Sequence, residues 1–210
     1  MDSKERTKRH FDSTAADYDH SDDGIFCAEM YAPLIAEIHR SNPNKLLDIG
    51  CGNGNVLVQL VRDGYSLTGV DLSEVMIGEA KRRLDGCAEL VVADAGKLPF
   101  LDSTFDTLIC NASFHHYTDP EGVIKEMYRV LKPDAVLLIG ECYMPQPFRA
   151  FMNLFIRFSP DGDYHFYGKR EMFRLLHRYN FHVQRIRDIG RNKVLYIAKA
   201  EKRDEEHEIA

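Results

Sequence analysis

The sequence predicts a doubly wound α/β fold, with a mostly parallel sheet of seven strands, one of them antiparallel, and helices on both faces. The first observation is at residues 45–61, where a short apolar run, three alternating glycines and an apolar periodicity of helical type follow one another. The second is residues 65–70, which suit a second strand and are followed directly by Asp71. The third is that further strand and helix patterns alternate after it, which is typical of a parallel sheet with crossover helices.

Composition predicts one globular domain over residues 1–210. The chain is 44% hydrophobic and 29% charged, which allows a sizeable core. Residues 1–6 are too charged for a signal peptide, and no apolar run is long enough to span a bilayer, so a soluble, cytoplasmic protein without a membrane span is expected. The five cysteines are odd in number and never in a C-x-x-C pair, which argues against disulfides and structural zinc; no metal site is predicted.

Charge argues against a nucleic-acid partner. The formal net charge is -6, and the only short basic stretch is at residues 4–9. Proteins that bind polynucleotides need a basic face, because contacts with phosphates supply most of the affinity. A polynucleotide substrate is therefore disfavoured.

The glycine-rich turn points to a ribonucleoside. Gly50, Gly52 and Gly54 are spaced G-x-G-x-G, whereas the dinucleotide-binding fingerprint is G-x-G-x-x-G. Glycines at the N-terminus of a helix let a ligand lie against bare backbone. Asp71, at the tip of the second strand, can accept hydrogen bonds from both hydroxyls of a ribose.

The elements can be assigned in order along the chain. Residues 3–19 and 24–40 read as helices, with Pro33 either opening the second half of the latter or kinking it. Ser73 is a good N-cap for the helix after Asp71. Strands are expected at 89–93 and 105–111, and residues 118–121 read as a capping box that opens a helix closing at 132–133. A strand at 135–140, an apolar helix at 148–158, a helix at 170–179 and paired strands at 181–187 and 194–200 follow.

Five segments together carry a family resemblance. They are L-L-D-I-G-C-G-N-G at 46–54, G-V-D-L-S at 69–73, A-D-A-G-K-L-P-F at 93–100, F-D-T-L-I-C-N-A-S-F-H-H at 105–116 and E-M-Y-R-V-L-K-P at 126–133. In this order they resemble the class I, Rossmann-like S-adenosylmethionine-dependent methyltransferases of the small-molecule type, over roughly the first two-thirds of the chain. The chain departs from that family at Asp134 and Ala135, where glycines are usual.

The resemblance implies a cofactor and its binding residues. The cofactor would be S-adenosylmethionine, with S-adenosylhomocysteine as product. Asp94 would meet the adenine amino group, and Leu72 and Met76 would press on adenine, although plain core packing is a serious alternative for Met76. Tyr18 would lie over the methionine end, or else pin its helix to the surface. The full expected set is Tyr18, Asp48, Gly50, Cys51, Gly52, Gly54, Asp71, Leu72, Met76, Asp94, Ala95 and Asn111.

The expected chemistry needs few catalytic groups. Methyl transfer from a sulfonium is an in-line displacement that depends mainly on proximity, alignment and exclusion of water. A general base matters only for an acceptor that is protonated at working pH. His116 and His115, just past Asn111 at the end of the fourth strand, are the candidates, with a role as pocket wall as the alternative.

The resemblance also divides the chain. Residues 1–40 would form an N-terminal helical cap, 41–142 the cofactor-binding core, 144–167 a lid over the acceptor pocket, 168–200 the last helix and strands, and 201–210 a charged tail. The aromatic residues of 148–167 would equally suit a dimer interface or a membrane-surface contact.

Other functions remain open at this point. A nucleic-acid or protein N-methyltransferase typically carries N-P-P-Y or N-P-P-F where this chain has Asn-Ala-Ser-Phe at 111–114. The missing third glycine speaks against a dehydrogenase. A non-catalytic S-adenosylmethionine-binding module is compatible with every residue. Neither the acceptor atom nor the oligomeric state can be read from the sequence.

Overall fold

The structure is a computed structural model that describes residues 2–159 and 161–202, so most of the predicted tail, 203–210, lies outside the described residues. The helices are α1 Ser3–Thr14, α2 Asp22–Ser41, α3 Asn55–Leu60, α4 Glu74–Leu84, α5 Pro120–Val130, α6 Phe148–Phe155 and α7 Lys169–Arg178. The strands are β1 Lys45–Ile49, β2 Ser66–Asp71, β3 Glu89–Val92, β4 Phe105–Asn111, β5 Leu131–Cys142, β6 Phe181–Gly190 and β7 Lys193–Ala200. Short 3-10 turns occupy Ala15–His20, Phe114–His116 and Ile156–Phe158.

The seven strands form one sheet in the order β3-β2-β1-β4-β5-β7-β6. β7 runs antiparallel to both of its neighbours, β5 and β6, and the other pairs are parallel. The predicted doubly wound α/β fold with one antiparallel strand is confirmed. The chain reverses its direction of winding between β1 and β4, and ligands of such sheets bind outside the carboxyl ends of the strands at this switch point.

Both faces of the sheet are covered. Leu46 and Leu47 are fully buried but belong to different clusters, because successive side chains of a strand point to opposite faces. One cluster packs against α2, α3 and α4, and the other against α5 and α7. No helix among the described residues is both long enough and apolar enough to cross a bilayer.

Two local expectations need correction. The N-cap of α5 is Asp119, whose side chain accepts from the Gly122 N–H at 3.0 Å. The expectation of a capping box that starts at residue 118 is therefore wrong. β5 begins at Leu131 rather than at 135, because Leu131 already pairs with Phe105 of β4 before a register shift. Asp134 has a φ of +57° in this irregular stretch, the conformation that the glycine of the resembled family would take at less cost.

Two helical expectations are refined by the structure. The N-terminal prefix divides into α1 and the turn Ala15–His20, and α2 is continuous through Pro33. Ser73 caps α4, its hydroxyl accepting from the Met76 N–H at 3.0 Å, as predicted.

Candidate active site

The glycine turn after β1 comes close to the turn that follows β4. Gly50, Gly52 and Gly54 have φ values of +72°, +52° and +82°. A Cβ on Gly50 would lie 2.0 Å from the Ser113 Oγ, so the position excludes a side chain on steric grounds as well. The N–H groups of Gly50 and Cys51 donate to the Val70 carbonyl at 2.8 and 3.0 Å, which ties the turn to β2.

Asp71 is held by backbone donors of the glycine turn and of α4. Its Oδ2 accepts from the Gly52 N–H at 2.9 Å and its Oδ1 from the Ser73 N–H at 2.8 Å. Burial raises the pKa of Asp71, and these hydrogen bonds oppose the rise. The carboxylate is therefore oriented by the turn before any ligand arrives.

A cavity of about 270 Å³, here called the loop cavity, opens at the carboxyl ends of β1, β2 and β3. Its floor contains Gly50, Asp71, Leu72, Asp94 and Ala95, five of the residues expected to bind the cofactor. Helix α1 forms the opposite wall with Lys4, Thr7 and Phe11.

Asp94 is paired with the N-terminal helix. Lys4 donates to its Oδ2, and the Gly96 N–H donates to its Oδ1 at 3.0 Å. Burial raises the pKa of Asp94, but the Lys4 hydrogen bond and the Gly96 N–H outweigh it, so this pKa lies below its usual range. A ligand amino group at Asp94 would thus share the carboxylate with Lys4.

A second, smaller cavity of about 30 Å³ lies behind the glycine turn. Tyr18, Asp48, Cys51, Gly52 and Asn111 line it, together with Gly50. Burial, and secondarily the nearby Asp71 carboxylate, raise the pKa of Asp48 to about 8. The Oδ1 atom of Asn111 is buried without a hydrogen-bond partner among the described residues.

A third cavity of about 160 Å³, here called the histidine chamber, lies beside the other two and contains both candidate catalytic histidines. His116 lies between the chamber and the loop cavity, since it lines both. The chamber's other walls combine apolar and acidic side chains: Phe11, Tyr18, Asp23, Phe26, Cys27, Ala112, Cys142, Asp161, Asp163 and Phe166.

The two histidines have different environments. His115 Nδ1 donates to the Glu141 Oε2 at 2.8 Å; burial lowers the pKa of His115, but the Glu141 charge outweighs it and holds the pKa well above its usual value. Burial and the neighbouring His115 hold the pKa of His116 well below its usual value. Adjacent histidines on one turn are thus biased toward opposite protonation states.

Two expected residues do not line these cavities. Met76 is 1% exposed and packs in the interior, as the core-packing alternative would have it. Gly54 is the N-cap of α3, where a Cβ would lie 3.0 Å from Leu84 Cδ1. Met76 packs beneath the turn, since its Sδ would lie 3.9 Å from a Cβ on Gly52, and Gly54 is the last glycine of the turn itself.

Glu141 and Asp163 were missed by the sequence analysis. Glu141 is a carboxylate at the carboxyl end of the apolar strand β5, the same signal that singled out Asp71 and Asp94, and could have been found. Asp163 lies in the irregular segment after α6, where no periodicity marks it. Another cavity, of about 540 Å³, is lined by Glu37 and Lys132 among others and by no residue of the glycine turn.

The sequence matches known proteins over its middle part. Residues 47–139 match the family model described as a methyltransferase domain. A demethylmenaquinone methyltransferase of Thermotoga maritima is 39% identical over 115 residues, 53% of this chain and 48% of that protein. A 27-O-demethylrifamycin SV methyltransferase of Amycolatopsis mediterranei is 34% identical over 111 residues, 50% of this chain and 41% of that protein. The chain thus spans about half the length of these curated relatives or less.

A solved structure shares the whole fold. The 1,6-didemethyltoxoflavin-N1-methyltransferase of Burkholderia thailandensis, solved with bound 1,6-didemethyltoxoflavin and S-adenosylhomocysteine, has a TM-score of 0.76 at 19% identity. The likeness covers 94% of this chain and 88% of that one.

The doubly wound sheet and the glycine turn at its switch point define a Rossmann-like, class I methyltransferase fold. Residues 47–139 match a methyltransferase domain, and the curated relatives that this part of the chain resembles are named as methyltransferases.

Proposed function

We propose that the chain binds S-adenosylmethionine and transfers its methyl group to a small-molecule acceptor. One observation carries the proposal: Gly50, Asp71, Leu72, Asp94 and Ala95 share one cavity at the carboxyl ends of three neighbouring strands. That cavity offers bare backbone and carboxylates to an adenosine, with the ribose at Asp71 and the adenine amino group at Asp94.

The methionine end of the cofactor would extend toward the smaller cavity behind the glycine turn. Asp48, Asn111 and Tyr18 line that cavity, and Tyr18 also lines the histidine chamber. The unpartnered Oδ1 of Asn111 is an acceptor suited to an ammonium group. The sulfonium methyl group would then face the histidine chamber.

The size of the histidine chamber supports a small acceptor. At about 160 Å³ it has room for a small molecule, and Phe11 of α1 together with Asp161, Asp163 and Phe166 contributes to its walls. The relatives also support this class, because one is named for demethylmenaquinone and another for demethylrifamycin SV. Residues 144–167 would act as the lid, since Asp161, Asp163 and Phe166 belong to this segment.

The reaction is a displacement at carbon. A lone pair of the acceptor forms a bond to the methyl carbon, the carbon–sulfur bond breaks, and its electron pair stays on sulfur as the thioether of S-adenosylhomocysteine. Where the attacking atom carries a proton, that proton passes to solvent. The protein's part is to align the two reactants and to exclude water once both are bound.

Calorimetric titration with S-adenosylhomocysteine, with NAD in parallel, tests the cofactor. We expect saturable binding of S-adenosylhomocysteine alone, weakened about 5- to 150-fold in Asp71→Ala, or about 1 to 3 kcal/mol. Asp102→Ala is the matched control, because Asp102 lines none of the described cavities. Binding of NAD alone would overturn the assignment. A methyl-labelled donor with a panel of small acceptors then tests transfer, and label transferred to a polynucleotide alone would overturn the acceptor class.

A further inference from the structure

Three ligand atoms converge on the wall of the histidine chamber. His115 Nε2 lies 3.5 Å from Asp163 Oδ1, and His116 Nδ1 lies 3.4 Å from the same oxygen. The three residues offer ligand atoms that all lie within 4.8 Å of one another. The neighbouring His115 and His116 come from the turn after β4, whereas Asp163 comes from the segment after α6.

These separations are those of metal ligands. Nitrogen and carboxylate oxygen bind Zn²⁺ at about 2.0–2.2 Å, and two such ligands at the tetrahedral angle lie about 3.4 Å apart. The distances are too long for direct hydrogen bonds of ordinary strength between the rings and the carboxylate. An ion between the three atoms would satisfy all of them at once.

His116 supplies an independent observation. Its side chain is 9% exposed, and its Nδ1 is buried with no hydrogen-bond partner among residues 2–159 and 161–202. A buried polar atom without a partner costs about 1–3 kcal/mol, so such atoms are rare in folded proteins. This nitrogen faces the Asp163 carboxylate across the chamber wall.

The neighbours of the three residues form the outer hydrogen bonds that metal sites require. His115 Nδ1 donates to Glu141 Oε2 at 2.8 Å, which leaves Nε2 directed toward Asp163. The other oxygen of Glu141, Oε1, accepts from the Phe114 N–H at 2.8 Å, and Ser159 Oγ donates to Asp163 Oδ2 at 3.2 Å. A carboxylate behind a metal-binding histidine fixes its tautomer and orientation.

We propose that His115 Nε2, His116 Nδ1 and Asp163 Oδ1 bind one divalent transition-metal ion of the zinc type. Three protein ligands leave the fourth tetrahedral position for an exogenous group, as at catalytic zinc sites. This proposal replaces the expectation from sequence that the chain has no metal site.

The role of the ion rests on the proposed function. A hydroxyl or thiol acceptor in the fourth position would lose its proton to solvent on coordination, because a bound cation lowers the pKa of its ligand. The oxygen or sulfur then attacks the methyl carbon as described above. The metal would thus both orient the acceptor and activate it.

Titration of the metal-free full chain with Zn²⁺, followed by calorimetry and by metal content after gel filtration, tests the site. Co²⁺ absorption reports whether the geometry is tetrahedral. We expect one equivalent of Zn²⁺, with affinity at least tenfold weaker in His116→Gln and Asp163→Asn. Glu141→Gln should weaken binding about 10- to 100-fold through loss of orientation of His115.

Two control variants test whether a neighbouring histidine binds the ion instead of the proposed ligands. His10 lies between Asp23 and Asp161 at 2.7 and 3.2 Å and could bind an ion adventitiously, and His165 pairs with Glu171 at 2.7 Å. His10→Gln and His165→Gln should retain the wild-type affinity. Absence of saturable binding would overturn the inference, as would loss in His10→Gln without loss in Asp163→Asn.

Failure of this inference is distinguishable from failure of the proposed function. Urea unfolding of the same variants reports their folding, and S-adenosylhomocysteine titration reports cofactor binding. Cofactor binding without zinc binding overturns the metal site alone. Zinc binding at these ligands without cofactor binding supports the metal site and overturns the proposed cofactor.

Discussion

Gly50 satisfies two separate requirements of the site. Its φ of +72° disfavours any residue with a Cβ, and that Cβ would also lie 2.6 Å from the Ser113 Cβ. The first requirement is local and follows from the turn after β1. The second depends on the turn after β4, where Ser113, 63 residues later in the chain, packs against Gly50.

Gly50→Ala separates these requirements when compared with Gly64→Ala. Gly64 has a φ of +79°, but no atom lies within 4 Å of its hypothetical Cβ. We expect Gly64→Ala to lower the free energy of unfolding by about 1 kcal/mol and Gly50→Ala by at least about 3 kcal/mol, because overpacking adds to the strain. Urea unfolding of both variants measures the difference.

Removing the Ser113 side chain should restore part of the free energy of unfolding that Gly50→Ala loses. In the double variant Gly50→Ala, Ser113→Gly, both atoms nearest to the new Cβ are gone. If Ser113→Gly brings no recovery relative to Gly50→Ala alone, the steric explanation is wrong and the backbone strain dominates.

Asp48 makes the stability of the protein dependent on pH. Its pKa is raised to about 8, from an ordinary value of 3.8, chiefly by burial. Between these values the folded state binds a proton that the unfolded state has released, so the free energy of unfolding falls as pH rises. The contribution is fully present below the unfolded pKa and is lost as pH rises through about 8.

Asp48→Asn should remove that slope. The slope from one proton reaches about 1.4 kcal/mol per pH unit, and the neutral amide cannot contribute it. Urea unfolding of both proteins from pH 5 to 8 gives the comparison. Wild type should lose more stability than Asp48→Asn over this interval; parallel curves would show that Asp48 ionises normally in the folded protein.

Helix α2 and strand β6 are joined through Glu37. This residue is only 3% exposed, because it lies on the buried, otherwise apolar face of the helix. Arg185 and Arg187, two residues apart on the same face of β6, donate to it at 2.8 and 2.6 Å, and Arg40 of α2 also pairs with it. Glu37 thus joins α2 to β6, an edge strand of the sheet.

Glu37→Gln should lower the free energy of unfolding by about 1–3 kcal/mol, since the amide cannot replace hydrogen bonds between charged groups. The control is Glu79→Gln, which removes a pair with the largely exposed Arg82 and should cost below about 1 kcal/mol. Thermal unfolding at low and high salt measures both. Equal losses in the two variants would mean that burial of Glu37 adds nothing.

The apolar pattern of helix α6 predicts the helix but not the burial of its side chains. The pattern at 148–158 predicted a helix, which the structure has as α6 and the turn Ile156–Phe158. Phe148, Phe151 and Leu154 are nevertheless 53%, 60% and 66% exposed. The residues of this segment that line the histidine chamber, Asp161, Asp163 and Phe166, all come after this helix, so the lid assignment for 144–167 stays a prediction.

At the scale of the molecule, α1 connects the parts of the candidate site. It has no buried residue of its own. It is attached by Lys4 to Asp94, by Asp12 to Ser73 at 2.5 Å, and by the Thr7 hydroxyl to the Gly162 carbonyl at 3.0 Å. Because α1 buries no residue of its own and is held by only a few polar contacts, this helix should open more easily than the sheet.

Amide exchange measured by mass spectrometry tests this coupling. We expect α1 to exchange early in the free protein and to be protected at least severalfold by S-adenosylhomocysteine, because the ligand would fill the cavity between α1 and the sheet. Peptides of β1 and β4 serve as internal controls and should exchange slowly in both states. Equal exchange of α1 with and without ligand would place the ligand elsewhere.

The sequence by itself determined the strands, most of the helices and the glycine turn, because their signals are periodicity and turn chemistry within a few residues. It also located Asp71 and Asp94, since each follows directly on its strand. Only the tertiary structure brought Asp163 to His116, Glu141 to His115 and Arg185 to Glu37, pairs separated by 47, 26 and 148 residues. Such contacts follow from how helices and loops pack on the sheet, and packing between distant segments leaves no periodic signal in either of them.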